Sequence, residues 1–112
     1  MNIAIPLVEG RLATHFGHCD DFVLIEVNDD GPSVVKSERL PAPPHQPGLL
    51  PGWLQQHGAH VIIAGGMGRR AQALFAQTGI EVVLGAVSDE PERIVEHYLA
   101  GKLETGDNPC DH

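Results

Sequence analysis

The second half of the chain alternates strand and helix patterns, and that alternation most constrains the fold. Val61-Ile62-Ile63-Ala64 is an unbroken apolar run of strand length, as expected for a strand covered on both faces. A helical pattern follows over residues 69–78, with Ala71, Leu74 and Phe75 on one side and Gly79 at its end. Val82-Val83-Leu84 repeats the buried-strand pattern. A last helix opens at Asp89-Glu90-Pro91-Glu92, where Asp89 and Glu92 have capping-box spacing. Ile94, Val95, Tyr98 and Leu99 face inward, and Gly101 ends it. Strand–helix–strand order requires parallel strands joined by right-handed crossovers, hence a sheet with helices packed on it.

The first half reads as a meander. Ile3-Ala4-Ile5 is a short strand, residues 8–20 mix Gly, His and Thr and read as a loop, and residues 22–27 form a second, β-branched strand. Asn28-Asp29-Asp30-Gly31 is a turn leading to a weaker third strand over 34–40, so the two pair as a hairpin. The proline-rich stretch 41–48 is a stiff connector. Residues 49–57 then form a helix: Leu49, Trp53, Leu50 and Leu54 share a face, Pro51 fits the first turn, and Gly58 stops it. The order is βββαβαβα, an α/β fold with a mixed sheet of five strands. Residues 1–101 form a single domain, and 102–112 a polar tail.

Such sheets form sites beyond the carboxyl ends of their strands, where connectivity reverses. The loop after the first strand carries His15, Phe16, Gly17, His18 and Cys19, and the loop after the fourth carries Gly65, Gly66, Met67, Gly68 and Arg69. If those two strands are neighbours, both loops share one rim.

The totals exclude several classes. A chain of 112 residues is one domain, and its net charge of −8 argues against a nucleic-acid footprint and against an anionic membrane surface. No apolar run approaches the roughly 20 residues needed to span a bilayer. The N-terminus enters a strand without a basic segment and is not a signal peptide. The expected compartment is the cytoplasm, where thiols stay reduced.

In that setting the two cysteines, Cys19 and Cys110, read as metal ligands or reactive thiols. Each is near a histidine: His18-Cys19, and Cys110-Asp111-His112 at the end of the chain. Three readings of the pair stand. They are thiolate ligands, a disulfide or redox pair, or an inert half-buried side chain and a tail thiol. With His18, His45 and His112 they supply the soft sulfur and nitrogen donors suited to zinc, copper or an iron–sulfur-type cluster. Two Cys and two His would satisfy a tetrahedral zinc site or a Rieske-like centre, although the spacing is not that of a zinc finger. The alternative for these histidines is solvated surface imidazole. His15 is assigned to fixing the loop through a backbone carbonyl, and His57, His60 and His97 to solvated positions. The Gly65–Arg69 loop is an anion cradle at a helix N-terminus, or a tight turn in which glycine avoids strain, with Met67 packing. It is neither a Walker loop nor a dinucleotide fingerprint.

His15-Phe16-Gly17-His18 before a strand, His45-x-Pro47-Gly48 before a helix, Ile63 through Ala71 reading IAGGMGRRA, and Gly79-Ile80-Glu81-Val82 followed by Gly85 resemble the dinitrogenase iron–molybdenum cofactor biosynthesis family. The four segments keep the family's order over nearly the whole chain. The resemblance implies a three-layer α/β/α, ribonuclease H-like fold. It also implies carriage of metal–sulfur clusters containing iron, molybdenum or copper, as in the nitrogenase cofactor carriers. His18-Cys19 and the terminal Cys-x-His depart from many relatives. The clustered carboxylates of a two-metal nuclease are absent from the first strand.

The expected function is that of a cluster-binding accessory protein, not an enzyme, acting as a monomer or homodimer with a cluster-assembly protein or ATPase as partner. The rival is a regulatory or protein-interaction module with a structural zinc. A thiol-dependent redox enzyme is a third class, without a C-x-x-C motif to support it.

Overall fold

The computed structural model describes residues 1–16, 19–28, 33–43, 48–86, 89–101 and 103. Among them, the elements run β1 (Asn2–Val8), β2 (Arg11–Leu12), β3 (Asp21–Asn28), β4 (Ser33–Pro41), α1 (Leu49–Gln56), β5 (Val61–Ile63), α2 (Arg69–Thr78), β6 (Glu81–Val83) and α3 (Pro91–Leu99). The sheet order is β4-β3-β1-β5-β6, with the two-residue β2 on β1. β3 runs antiparallel to both β1 and β4, whereas β1, β5 and β6 are parallel. The mixed α/β sheet and the strand–helix alternation are as expected from the sequence, with six strands among the described residues rather than five because β2 is added to β1.

Side-chain alternation sorts the core into two layers. Ile3, Ile5 and Leu7 of β1, Val23 and Ile25 of β3, and Val61 and Ile63 of β5 pack with Ile94 and Val95 of α3. Ala4, Phe22 and Ile62 point the other way and pack with Leu54 of α1 and Phe75 of α2. A continuous apolar strand such as Val61-Ile62-Ile63 is stable only with a layer on each side, and here it has both.

Three local features differ from expectation. The 8–20 stretch is not all loop: β1 turns at Glu9-Gly10 and returns as β2, pairing Leu7 with Leu12 and Val8 with Arg11. Glu9 has φ 53° and Gly10 φ 80°, the positive pair that a two-residue type I′ turn requires. Glutamate is not a residue that signals such a turn, which is why the hairpin was not legible. The last helix lacks the expected capping box. Pro91 occupies its first position, Glu90 is the N-cap without a side-chain bond, and Asp89 accepts from the Glu90 N–H at 2.8 Å. Asp89 also lies 3.9 Å from Arg11 and 3.8 Å from Arg93. Finally, β6 is half-buried, because it is the edge strand beyond β5.

Pro6 sits inside a central strand, opposite Phe22. Its carbonyl accepts the Ala13 N–H at 2.8 Å. The N and C=O of one strand residue point to the same side, so the missing N–H faces Ala13 rather than the β3 ladder.

The left-handed Glu9 is a stability reserve. Glu9→Asn, at a position where asparagine tolerates φ > 0, is expected to stabilise the fold by about 1 kcal/mol. Thermal unfolding should shift upward by about 4 °C, and no shift would show that the hairpin turn carries no strain.

Candidate functional site

β1 and β5 are adjacent and parallel, pairing Ile3 with Val61 and Ala4 with Ile62. Their carboxyl ends therefore open on one rim, as the condition set by the sequence requires. The backbone of His15 pairs in parallel with Gly66, and the Phe16 N–H donates to the Gly66 carbonyl at 2.8 Å. A third loop, following β6, joins them: Gly85 N–H donates to Gly65 O at 2.8 Å and Ala86 N–H to Ala64 O at 3.3 Å. Of this third loop the sequence signals only Gly85, and its place in the site is set by tertiary contacts.

The glycines have distinct tasks. A Cβ on Gly65 would lie 2.7 Å from the Thr14 carbonyl oxygen and 3.2 Å from that of Ala13, so only glycine lets the two loops touch. A Cβ on Gly68 meets nothing within 4 Å. Gly65, Gly66 and Met67 are buried, while Gly68, Arg69 and Arg70 are exposed. Met67 is 1 % exposed and belongs to the α1/α2 core layer, its carbonyl accepting from Gln72 Nε2 at 2.9 Å. Gly68 is the N-cap of α2 and supplies no side-chain bond to the first turn. The solvent-facing part of this loop is thus the helix N-terminus with Arg69 and Arg70, which carries partial positive charge.

Phe16 anchors the first loop. It is buried, with its ring edge-to-face on Phe75 at 5.3 Å and on Phe22 at 6.1 Å. His15 and Thr14 are exposed beside it, and they line an open cleft of about 380 Å³ whose far wall is the Val8–Leu12 hairpin. At His15 the backbone bridges to Gly66, and the bond there comes from the Phe16 N–H. His60, assigned to a solvated position, is exposed but engaged: its Nδ1 accepts the Asn2 N–H at 3.0 Å, locking the start of β1 to the turn before β5.

Cys19 is half-buried and packs against the same core layer as Phe16, Phe22 and Met67. Burial, reinforced by the carboxylates of Asp20 and Asp21, pushes its thiol up to about 11. Among the described residues no three His, Cys, Asp or Glu side chains group as a metal site. Of the proposed ligands, His18, His45, Cys110 and His112 lie outside the described residues, as does Gly17 of the loop.

The raised thiol has a measurable consequence. In a Cys110→Ser background, Cys19 is expected to alkylate slowly at pH 7–8 and progressively faster up to about pH 11, because only the thiolate reacts. A rate that levels off near pH 8.5, the ordinary range for a free thiol, would show Cys19 to be unshielded.

The chain belongs to the dinitrogenase iron-molybdenum cofactor family, whose sequence profile matches residues 1–101. The uncharacterized protein MJ0580 of Methanocaldococcus jannaschii is 27% identical over 110 residues, covering 93% of this chain and 90% of that protein. The crystal structure of PH0822 superposes with a TM-score of 0.86 at 30% identity, over 94% of each chain. The apo form of the orange protein from Desulfovibrio gigas gives a TM-score of 0.70 at 22% identity, over 96% of this chain and 94% of that one, a likeness of fold. No helix among the described residues is long and apolar enough to cross a membrane.

Proposed function

We propose that this protein binds and carries a metal–sulfur cluster at the rim formed by the three loops, as an accessory of cofactor assembly and not as a catalyst. The observation that carries the reading is the backbone pairing of the His15–Phe16 segment with the Gly65–Gly66 turn, in a chain of the dinitrogenase iron-molybdenum cofactor family. Half-buried Cys19, an open cleft and a helix N-terminus whose N-cap glycine supplies no side-chain bond lie on neighbouring elements. A sulfide or thiomolybdate cluster is an anion. The α2 N-terminus with Arg69 and Arg70 offers local positive charge on a chain whose net charge is −8.

In this reading Cys19 is the ligand among the described residues, and His18, His45 and Cys110 complete the donor set, with His112 in reserve. Ligation requires the thiolate, so capture at Cys19 displaces its proton and weakens in acid. Cargo passes to a cluster-assembly protein or ATPase.

Protein purified without oxygen, added metal or affinity tag is expected to contain iron, molybdenum or copper by elemental analysis, with visible charge-transfer bands. Cluster reconstitution should fail on the Cys19→Ser, Cys110→Ser double variant. Colourless protein with one zinc per chain, or undiminished reconstitution on the double variant, would overturn the reading.

A further inference from the structure

We propose that β4 is the contact edge of a homodimer, pairing antiparallel with β4 of a second copy about a two-fold axis at Ser37. β4 is an outer strand of the sheet, hydrogen-bonded to β3 on one side. It is nine residues long, and its residues from Val34 to Arg39 are exposed, with Val34 41 % and Val35 61 % exposed. A long outer edge carrying exposed valines is a template for another strand unless something blocks it. Among the described residues a register shift at Glu26/Val27 leaves Val35 as an extra residue, Pro41 closes the strand, and the pairing is regular between them; the charges of Lys36, Glu38 and Arg39 guard this edge against any strand that does not complement them.

The occupant follows from the order of charges. Pairing about Ser37 sets Lys36 of each copy opposite Glu38 of the other, twice, with the two Ser37 residues facing each other at the centre. Opposite charges on directly paired positions stabilise a sheet, and like charges destabilise it. Shifting the register by two in one direction places Lys36 against Lys36, and in the other Glu38 against Glu38. A shift by one turns the side chains to the wrong face. A single register therefore satisfies both rules, and it is self-complementary, which is the property of a two-fold interface.

The surroundings agree. Within one chain Lys36 pairs with Glu26 of β3, whereas Glu38 lies opposite Leu24. Asn2, Leu24, Glu26, Lys36 and Glu38 line an open hollow on the sheet. In the dimer, Lys36 would stand between Glu26 of its own chain and Glu38 of the second copy. Glu38 would gain the cation that its own β3 does not set opposite it. The edge lies across β3 and β1 from β5 and β6.

Sedimentation velocity over a concentration series to the millimolar range is expected to show a monomer–dimer equilibrium. Lys36→Glu and Glu38→Lys, each alone, should weaken the dimer about tenfold, since two attractive pairs become two repulsive ones. An equimolar mixture of the two variants, one of them isotopically heavy, should form a heterodimer in native mass spectrometry. There the carboxylates at positions 36 and 38 of one chain meet the ammonium groups at positions 38 and 36 of the other. Circular dichroism checks that each variant is folded. A protein that stays monomeric throughout, or a dimer that neither substitution weakens, or a mixture without heterodimer, would overturn the proposal.

Discussion

Gly65→Ala is expected to unfold the protein partly and to part the two loops that form the rim. The added Cβ would sit 2.7 Å from the Thr14 carbonyl oxygen and 3.2 Å from the Thr14 carbonyl carbon. Both are backbone atoms, so no rotamer change relieves the contact; one loop must move. Overpacking of this kind costs about 1–3 kcal/mol, and an obstacle made of backbone puts the cost at the upper end. The movement breaks specific bonds as well. The Phe16 N–H donates to Gly66 O and the Gly85 N–H to Gly65 O, so both amides should lose protection in hydrogen exchange. Gly68→Ala is the internal control. It has open space at its Cβ and φ −67°, and it should cost less than about 1 kcal/mol as a poorer N-cap. Equal effects of the two substitutions would show that the close approach at Gly65 does not hold the loops together.

The contrast between these glycines shows where sequence reading reaches its limit. Both belong to the run Gly65-Gly66-Met67-Gly68, and nothing local separates them. The difference is tertiary: residues 13–14 approach Gly65 from a segment some fifty positions earlier. The same holds across the molecule. Elements with a strong period were legible, such as Val61-Ile62-Ile63 and the Ala71, Leu74, Phe75 face. So was the meaning of βαβαβ order, including the shared rim once β1 and β5 are neighbours. The type I′ turn at Glu9 was not legible, because its positive φ is imposed by the Leu7–Leu12 and Val8–Arg11 pairing and not by its own side chain. Asp89 misled for a related reason. Its spacing to Glu92 fits a capping box, but Pro91 fixes the first helical position and moves the cap to Glu90. Asp89 is then placed near Arg11, which the β1–β2 hairpin delivers. The donor chemistry of the site, sulfur and imidazole, was readable from residue types alone. The company each donor keeps is a property of the folded chain, and Cys19 is the example: its position in sequence beside His18 gave no sign that burial and two carboxylates would hold it protonated.

Phe75→Ala is expected to be the most damaging single substitution, and its effect should reach the rim although Phe75 lies beneath it on α2. The side chain is fully buried and meets Phe16 edge-to-face at 5.3 Å. Truncating a buried phenylalanine costs about 3–5 kcal/mol, through lost burial and the cavity left behind. Net stabilities are about 5–15 kcal/mol, so this is a large fraction of what holds the fold. The remaining effect is directional. Phe16 meets both Phe75 and Phe22, and Phe22 in turn meets Trp53 of α1 at 5.5 Å. Removing Phe75 frees Phe16 on the side of α2, which loosens the 13–16 segment and uncovers the Cys19 side chain that shares this layer. Cys19 alkylation in the folded variant, measured with Cys110→Ser present, should therefore accelerate more than global unfolding accounts for. A double-mutant cycle with Phe16→Ala separates the two contributions: a coupling of about 0.5–1.5 kcal/mol is the edge-to-face contact itself. Additive losses, with Cys19 reactivity rising only in proportion to the unfolded fraction, would mean that α2 supports the core but not the loop. In that event the rim would rest on its backbone bonds alone, and Gly65→Ala would be the substitution that governs it.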